Sequence, residues 1–292
     1  MNLSSLFHCL TLSFTVALAA TGCGESTPLS AERSADLPAR SPAATPLADL
    51  SDPSALGDED FEALRQRRGD FVAALLTYRP VIGRDRAAHF TQPAWSEPDA
   101  APVIFHLLRD ASVPEAERAA LAQRLRTNKG DWTGAALALF QRESSEQVRA
   151  ALIASLAHAE APAIAQASVL GLADPSPMVR DWATFGASRV LANHPDAPGA
   201  ATLVDALIAG ADDDDDQVRA GTFRALGFAQ DPKALDSLVV GLRDRHASVR
   251  LSALTAIRAI APTRAVTLAE AAGLADDEDA RVVRAFERLD RE

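Results

Sequence analysis

A chain of 292 residues, 48% hydrophobic but only 5% aromatic, can bury a sizeable core filled by Ala, Leu and Val rather than by large rings. That composition favours helix and argues against a sheet protein. The formal charge of −11, to which residues 1–22 contribute no Lys, Arg, Asp or Glu, argues against a nucleic acid duplex or an anionic bilayer surface as partner unless a basic face is segregated.

The first element is the apolar run from about Leu10 to Ala20 in MNLSSLFHCLTLSFTVALAATGCGES. It is too short to span a bilayer and suits the h-region of a signal peptide, residues 1–22. Its tail, Ala20-Thr21-Gly22-Cys23, resembles the lipobox of bacterial lipoproteins, with Ala20 where leucine is more usual and no Lys or Arg in the n-region. The resemblance implies lipidation at Cys23 and a lipid-anchored chain in the bacterial cell envelope, facing periplasm or exterior. The alternative is a secreted protein cleaved near Ala19 or Ala20. Several acyl chains would hold firmly, at ~0.8 kcal/mol per buried methylene. The two cysteines are Cys9 and Cys23, so the remainder of the chain supplies no disulfide, cysteine-zinc cluster or catalytic thiol.

Residues 23–58 change character. Prolines at 28, 38, 42, 46 and 53 interrupt any helix and the apolar residues lack a period, which predicts a disordered linker. As flexible coil it would reach on the order of 30 Å. Residues 59–130 then read as an N-terminal helical cap and irregular first repeats. Within them TYRPVIGRDRAAHFTQPAWSEPDAAP (77–102) fits no repeat and reads as a cap, a lid or a docking loop.

From residue 131 to 292 the chain repeats itself. Arg118, Arg149, Arg180, Arg219 and Arg250 follow one another at steps of 31, 31, 39 and 31 residues, a period typical of solenoids. Counting from Val148, Val179, Val218 and Val249, the fourth, seventh and eighth positions are small or apolar, as in Ala183, Gly186 and Ala187. They form one stripe of a helix that neighbours can approach closely. A second apolar segment precedes each such helix: 135–143, 164–174, 201–210 and 235–243. Start signals are Ser144 with Gln147 at capping-box spacing, Ser176 before Pro177, and Asp216 or a neighbour. Each repeat is thus a helical hairpin that buries its apolar face only by stacking, which makes the fold class an all-α solenoid. The stretches DPSPMVRDWATFGASRVL, DDQVRAGTFRALGFAQDPKALDSLVVGL and DRHASVRLSALTAIRAI resemble HEAT-like repeats of the phycobilisome-lyase type. The resemblance is partial around Arg118, where Glu117 replaces Val. It fades in DDEDARVVRAFERLDRE, which reads as a C-terminal cap.

An acid stands six residues before Arg in four repeats: Glu143, Asp174, Asp213 and Asp244. Arginines in such repeats commonly pair with turn carboxylates of their own or adjacent repeats. A structural ladder is therefore expected, contributing about 0–1 kcal/mol per exposed pair. The 39-residue step carries extra residues around ANHPDAPGA (192–200) and the run Asp212–Asp216. Trp182 and Phe185 precede it, where other repeats place Ala151 and Ala154 or Ser252 and Thr255. They read either as a partner-binding anchor or as core covered by the insertion. The aspartate run reads as a solvated turn and helix cap rather than a calcium loop.

The chain contains no phosphate loop, HExxH, G-x-S-x-G or metal-ligand spacing, and its histidines are scattered. The expectation is a non-catalytic scaffold without cofactor or metal that binds a protein or peptide, touches the membrane through its lipid anchor alone and binds no nucleic acid. The alternative implied by the resemblance is a lyase-like protein that modifies proteins or handles chromophores.

Overall fold

The structure is a computed structural model that describes residues 96–98 and 100–289, together with Gln66 and Gly69. The 1–22 signal, Cys23, the 23–58 linker and residues 77–95 lie outside the described residues. The described end of the 77–102 segment opens the first helix, and Ala100, Ala101 and Pro102 are buried there.

The described residues contain helices and no strands. In order these are α1 (Ala100–Arg109), α2 (Glu115–Ala122), α3 (Thr133–Phe140), α4 (Glu146–Leu156), α5 (Ala161–Leu172) and α6 (Pro177–Asn193). They continue with α7 (Ala200–Ala209), α8 (Asp216–Ala229), α9 (Leu235–Gly241), α10 (Ala247–Ile260), α11 (Pro262–Ala271) and α12 (Ala280–Leu289). Each odd-numbered helix packs on the even-numbered helix that follows it, and the even helices pack side by side from α2 to α12. The even layer is the one that carries the Val-Arg pairs. Val148, Val179, Val218 and Val249 are all at most 1% exposed, so the valine does fill the seam between hairpins.

Small residues explain the close spacing of the even layer. A Cβ on Gly221 of α8 would lie 2.1 Å from the Thr184 hydroxyl of α6, and one on Gly227 would lie 3.0 Å from the Ala256 Cα of α10. The buried side chains form two apolar clusters that divide within α5 and α6. Val179 and Ala183 belong to the first, and Ala187, Val190 and Leu191 to the second.

The local start signals differ in detail from expectation. Helix α4 is capped by Ser145 rather than Ser144, its side chain accepting from Val148 N at 3.2 Å. Ser144 is displaced from that role because Glu143 accepts the Ser145 N–H and turns the chain one residue later. Helix α8 is capped by Asp215, the neighbour of Asp216, which accepts from the N–H groups of Gln217 and Val218. Ser176 stands at the N-cap of α6 but its hydroxyl, although buried, caps nothing.

The longer step is absorbed at the far end of α6. That helix runs 17 residues against 11 for α4, and the chain then turns at Gly199, whose φ of 89° suits glycine. The insertion therefore sits beyond the C-terminus of α6 and leaves the first half of the helix uncovered.

Candidate functional site

The recurring arginines form a ladder with one direction. Arg149 grips Asp174 through Nε and Nη2 at 2.7 and 3.0 Å, and its Nη1 donates to the carbonyls of Glu143 and Ser144 in its own turn. Arg180 does the same with Asp213 and with the carbonyls of Asp174 and Pro175. Arg219 pairs with Asp244, and Arg250 with Asp277. Arg118 begins the series with a single contact to Glu143 at 2.8 Å. Each arginine thus takes its carboxylate from the next repeat, while for Arg149, Arg180, Arg219 and Arg250 the acid of the own turn lends only its backbone carbonyl. The acid is held from a second side as well. Oδ1 of Asp174, Asp213, Asp244 and Asp277 accepts the N–H of the residue two further on.

These side chains are only 5–18% exposed, so the rungs are more enclosed than the exposed pairs expected, and removing one partner strands a poorly solvated charge. Asp277 is the rung that spacing from Arg missed, because Val283 stands six residues later where earlier repeats have arginine. The ladder therefore closes on an acid with no further guanidinium.

Desolvation pushes the carboxyls of Asp213, Asp244 and Asp277 up, but the hydrogen bonds from Arg180, Arg219 and Arg250, with those from the backbone, outweigh it and hold all three below the usual range. A lowered carboxyl stabilises the fold above its unfolded value of about 3.9 and loses that contribution as pH falls through the folded value. The thermal midpoint is expected to fall steeply below about pH 4, and more shallowly in Asp213→Asn, Asp244→Asn and Asp277→Asn. Calorimetry across pH 6 to 3 checks this, and equal slopes in wild type and variants would refute it.

The other feature is the open side of the even layer. On α6, Trp182 is 40% exposed and Phe185 39%, so they are not core beneath the insertion. Met178, which the sequence reading passed over, joins them at 48%. The spacing of 178, 182 and 185 places the three on one face of the helix. The two rings meet edge to face with centroids 5.8 Å apart, and the His158 ring lies 6.3 Å from Phe185. His158 follows the end of α4, and burial, then Arg189 and Arg126, depresses its imidazole and favours the neutral form. Of the matching positions on the flanking helices, Ala151 and Ala154 on α4 and Gly221 on α8 are small, while exposed Arg224 stands on α8 where Phe185 stands on α6. The aromatic pair is thus a ridge with low ground toward α4 and a cation toward α8. Asp181 stands beside it, its carboxyl raised by desolvation against the pull of Arg224 although the residue is exposed. Protein on several sides of an accessible carboxylate produces that combination.

The aspartate run is spent on the scaffold. Asp213 is a rung, Asp215 a cap, and Asp216 lies 3.7 Å from His246. Among the described residues no three His, Cys, Asp or Glu side chains group to hold a metal, and no helix is long and apolar enough to cross a membrane. A cleft of about 330 Å³ at the head of the ladder is lined by Arg109, Arg118, Arg142 and Glu143 among others, with Glu143 already engaged by Arg118.

Residues 204–289 match the family described as HEAT repeats. No curated protein matches the sequence. Among solved structures, the X-ray structure of YibA from E. coli superposes with a TM-score of 0.51 at 16% identity, covering 81% of this chain and 98% of that one. A designed armadillo repeat protein in complex with the peptide (KR)4 gives a TM-score of 0.48 at 18% identity over 64% of this chain and 97% of that one. The all-helical structure and the likeness to YibA make the described part of this chain an α-solenoid, whose residues 204–289 match HEAT repeats.

Proposed function

We propose that the protein is a non-catalytic scaffold, tethered to a bacterial envelope membrane through lipidated Cys23 and facing the periplasm or exterior, that holds a protein or peptide on the open face of its even-numbered helices. The single observation that supports the docking surface most is the exposed stripe of Met178, Trp182 and Phe185. Large apolar side chains clustered on a surface are the usual energetic centre of an interface, and each such aromatic contributes about 2 kcal/mol or more there. The tether rests on the run of residues 10–23 and on the proline-rich stretch after it.

Crosslinking and pull-down from the native envelope test the face. Trp182→Ala/Phe185→Ala is expected to reduce partner capture at least tenfold while thermal stability stays within about 0.5 kcal/mol of wild type. Unchanged capture with lost stability would return the pair to a purely structural role. Cys23→Ala is expected to abolish incorporation of labelled fatty acid and to move the protein from the membrane pellet to the soluble fraction. Continued pelleting after high-salt washing would remove the lipid tether from this account.

A further inference from the structure

We propose that the segment docked on the α6 face is acidic and carries aromatic or branched aliphatic side chains. The inference rests on the reading of that face as the docking surface and adds the chemistry of its occupant.

The chain as a whole is acidic, with a formal charge of −11, yet the charge is sorted. Asp174, Asp213, Asp244 and Asp277 are drawn into the ladder, and Asp215 into a helix cap. Cations outside the ladder surround the aromatic ridge. Arg189 lies one turn beyond Phe185 on α6, and exposed Arg224 occupies on α8 the position that Phe185 occupies on α6. Arg126 and Arg189 both stand near enough to His158 to act on its ring. Screening reduces the reach of a charge to about 8 Å at physiological salt, so Arg189 and Arg224 act on the ridge more strongly than the remote turns do, while Asp215 acts on Asp181.

Two further observations point to an anionic occupant. The Nε of Arg189, a half-buried residue one turn beyond Phe185, is buried and has no hydrogen-bond acceptor. The exposed carboxylate beside Arg224, Asp181, is raised by desolvation against the pull of that guanidinium, so it does not fully engage Arg224. Guanidinium groups grip carboxylates bidentately, and Trp182 and Phe185 offer flat apolar contact between them. A duplex fits poorly, because an apolar ridge stands in the middle of the basic residues.

The test is selection of random displayed peptides on the immobilised full chain. Enriched peptides are expected to be rich in Asp and Glu around Phe, Trp, Leu or Ile. The strongest of them, made synthetically, should bind at least tenfold more weakly to Arg189→Glu/Arg224→Glu and about twofold more tightly to Asp181→Asn. Its affinity should fall as salt rises, with a shallower slope in the double reversal. Enrichment of basic or neutral peptides, or tighter binding to the double reversal, would overturn the proposal. Peptides that need Trp182 and Phe185 but ignore the arginines would overturn the acidic chemistry and leave the docking face standing. Binding that ignores Trp182 and Phe185 would overturn both. A dimer in sedimentation velocity that Trp182→Ala abolishes, or duplex DNA displacing the selected peptide, would identify another occupant and overturn it too.

Discussion

Asp244→Ala is expected to cost the fold about 3 kcal/mol and to break the unfolding transition into two. Asp244 joins two hairpins from the turn between α9 and α10. It receives Arg219 at 2.8 and 3.0 Å through both oxygens, and Oδ1 also accepts the N–H of His246 at 2.8 Å. Its side chain is 14% exposed and that of Arg219 is 8%. Removing the acid strands a nearly enclosed guanidinium and frees a backbone donor at the start of α10, so the loss exceeds that of a surface pair. The carbonyl of residue 244 still receives Arg250 at 2.8 Å, which confines the damage to one rung.

Stability in a stack is the sum of each hairpin and its interfaces with its neighbours, so weakening one interface uncouples the two sides. Urea unfolding followed by circular dichroism should show a lower slope or a second step. Asp244→Asn keeps an oxygen for His246 but surrenders the charge, and about half the loss is expected. A loss below about 1 kcal/mol for Asp244→Ala would show that the rung fixes geometry without stabilising it.

The architecture was legible because it is written in periods. Steps of 31 residues between arginines and a stripe of small residues after each valine can come only from a repeated unit, and the stacked hairpins follow from that. The direction of the ladder was not legible. An acid six residues before an arginine suggests that those two pair, yet the carboxylate of Asp174 goes to Arg149 of the preceding repeat and only its carbonyl meets Arg180. Sequence proximity cannot distinguish the two, because stacking brings the next turn as near as the chain's own.

Burial of Trp182 and Phe185 was equally hidden. Sequence showed an insertion after them, but whether it folds back depends on where α6 ends, and α6 spends the extra length continuing to Asn193. Met178 could have been found from its position four residues before Trp182, which shares a helix face with it. The missing signal was that this face points away from the odd-numbered layer.

Gly221→Ala is expected to destabilise the chain by about 2 kcal/mol, although alanine is the better helix former by about 1 kcal/mol. The added methyl would stand 2.1 Å from the Thr184 hydroxyl and 2.9 Å from its Cβ. Thr184 cannot easily turn away. It is 2% exposed, β-branched, and its hydroxyl donates to the Asp181 carbonyl at 2.8 Å. The alternative is to part α6 from α8 within the layer that runs from α2 to α12. That separation would also tilt Arg180 away from Asp213 and the aromatic ridge away from Arg224, so stability and partner capture should fall together.

Thr184→Ala in the Gly221→Ala background removes the 2.1 Å contact but leaves the Cβ at 2.9 Å. About half of the loss should therefore return. Gly273 sets the contrast: its φ of 83° penalises a side chain, but nothing lies within 4 Å of its Cβ position. Gly273→Ala should cost about 1 kcal/mol through backbone strain alone, with partner capture unchanged. Thermal unfolding of the three variants separates crowding between helices from strain within a turn. Equal stability of wild type and Gly221→Ala would mean that the α6–α8 spacing is loose enough to accept a methyl, and the close-packed even layer would lose its physical basis.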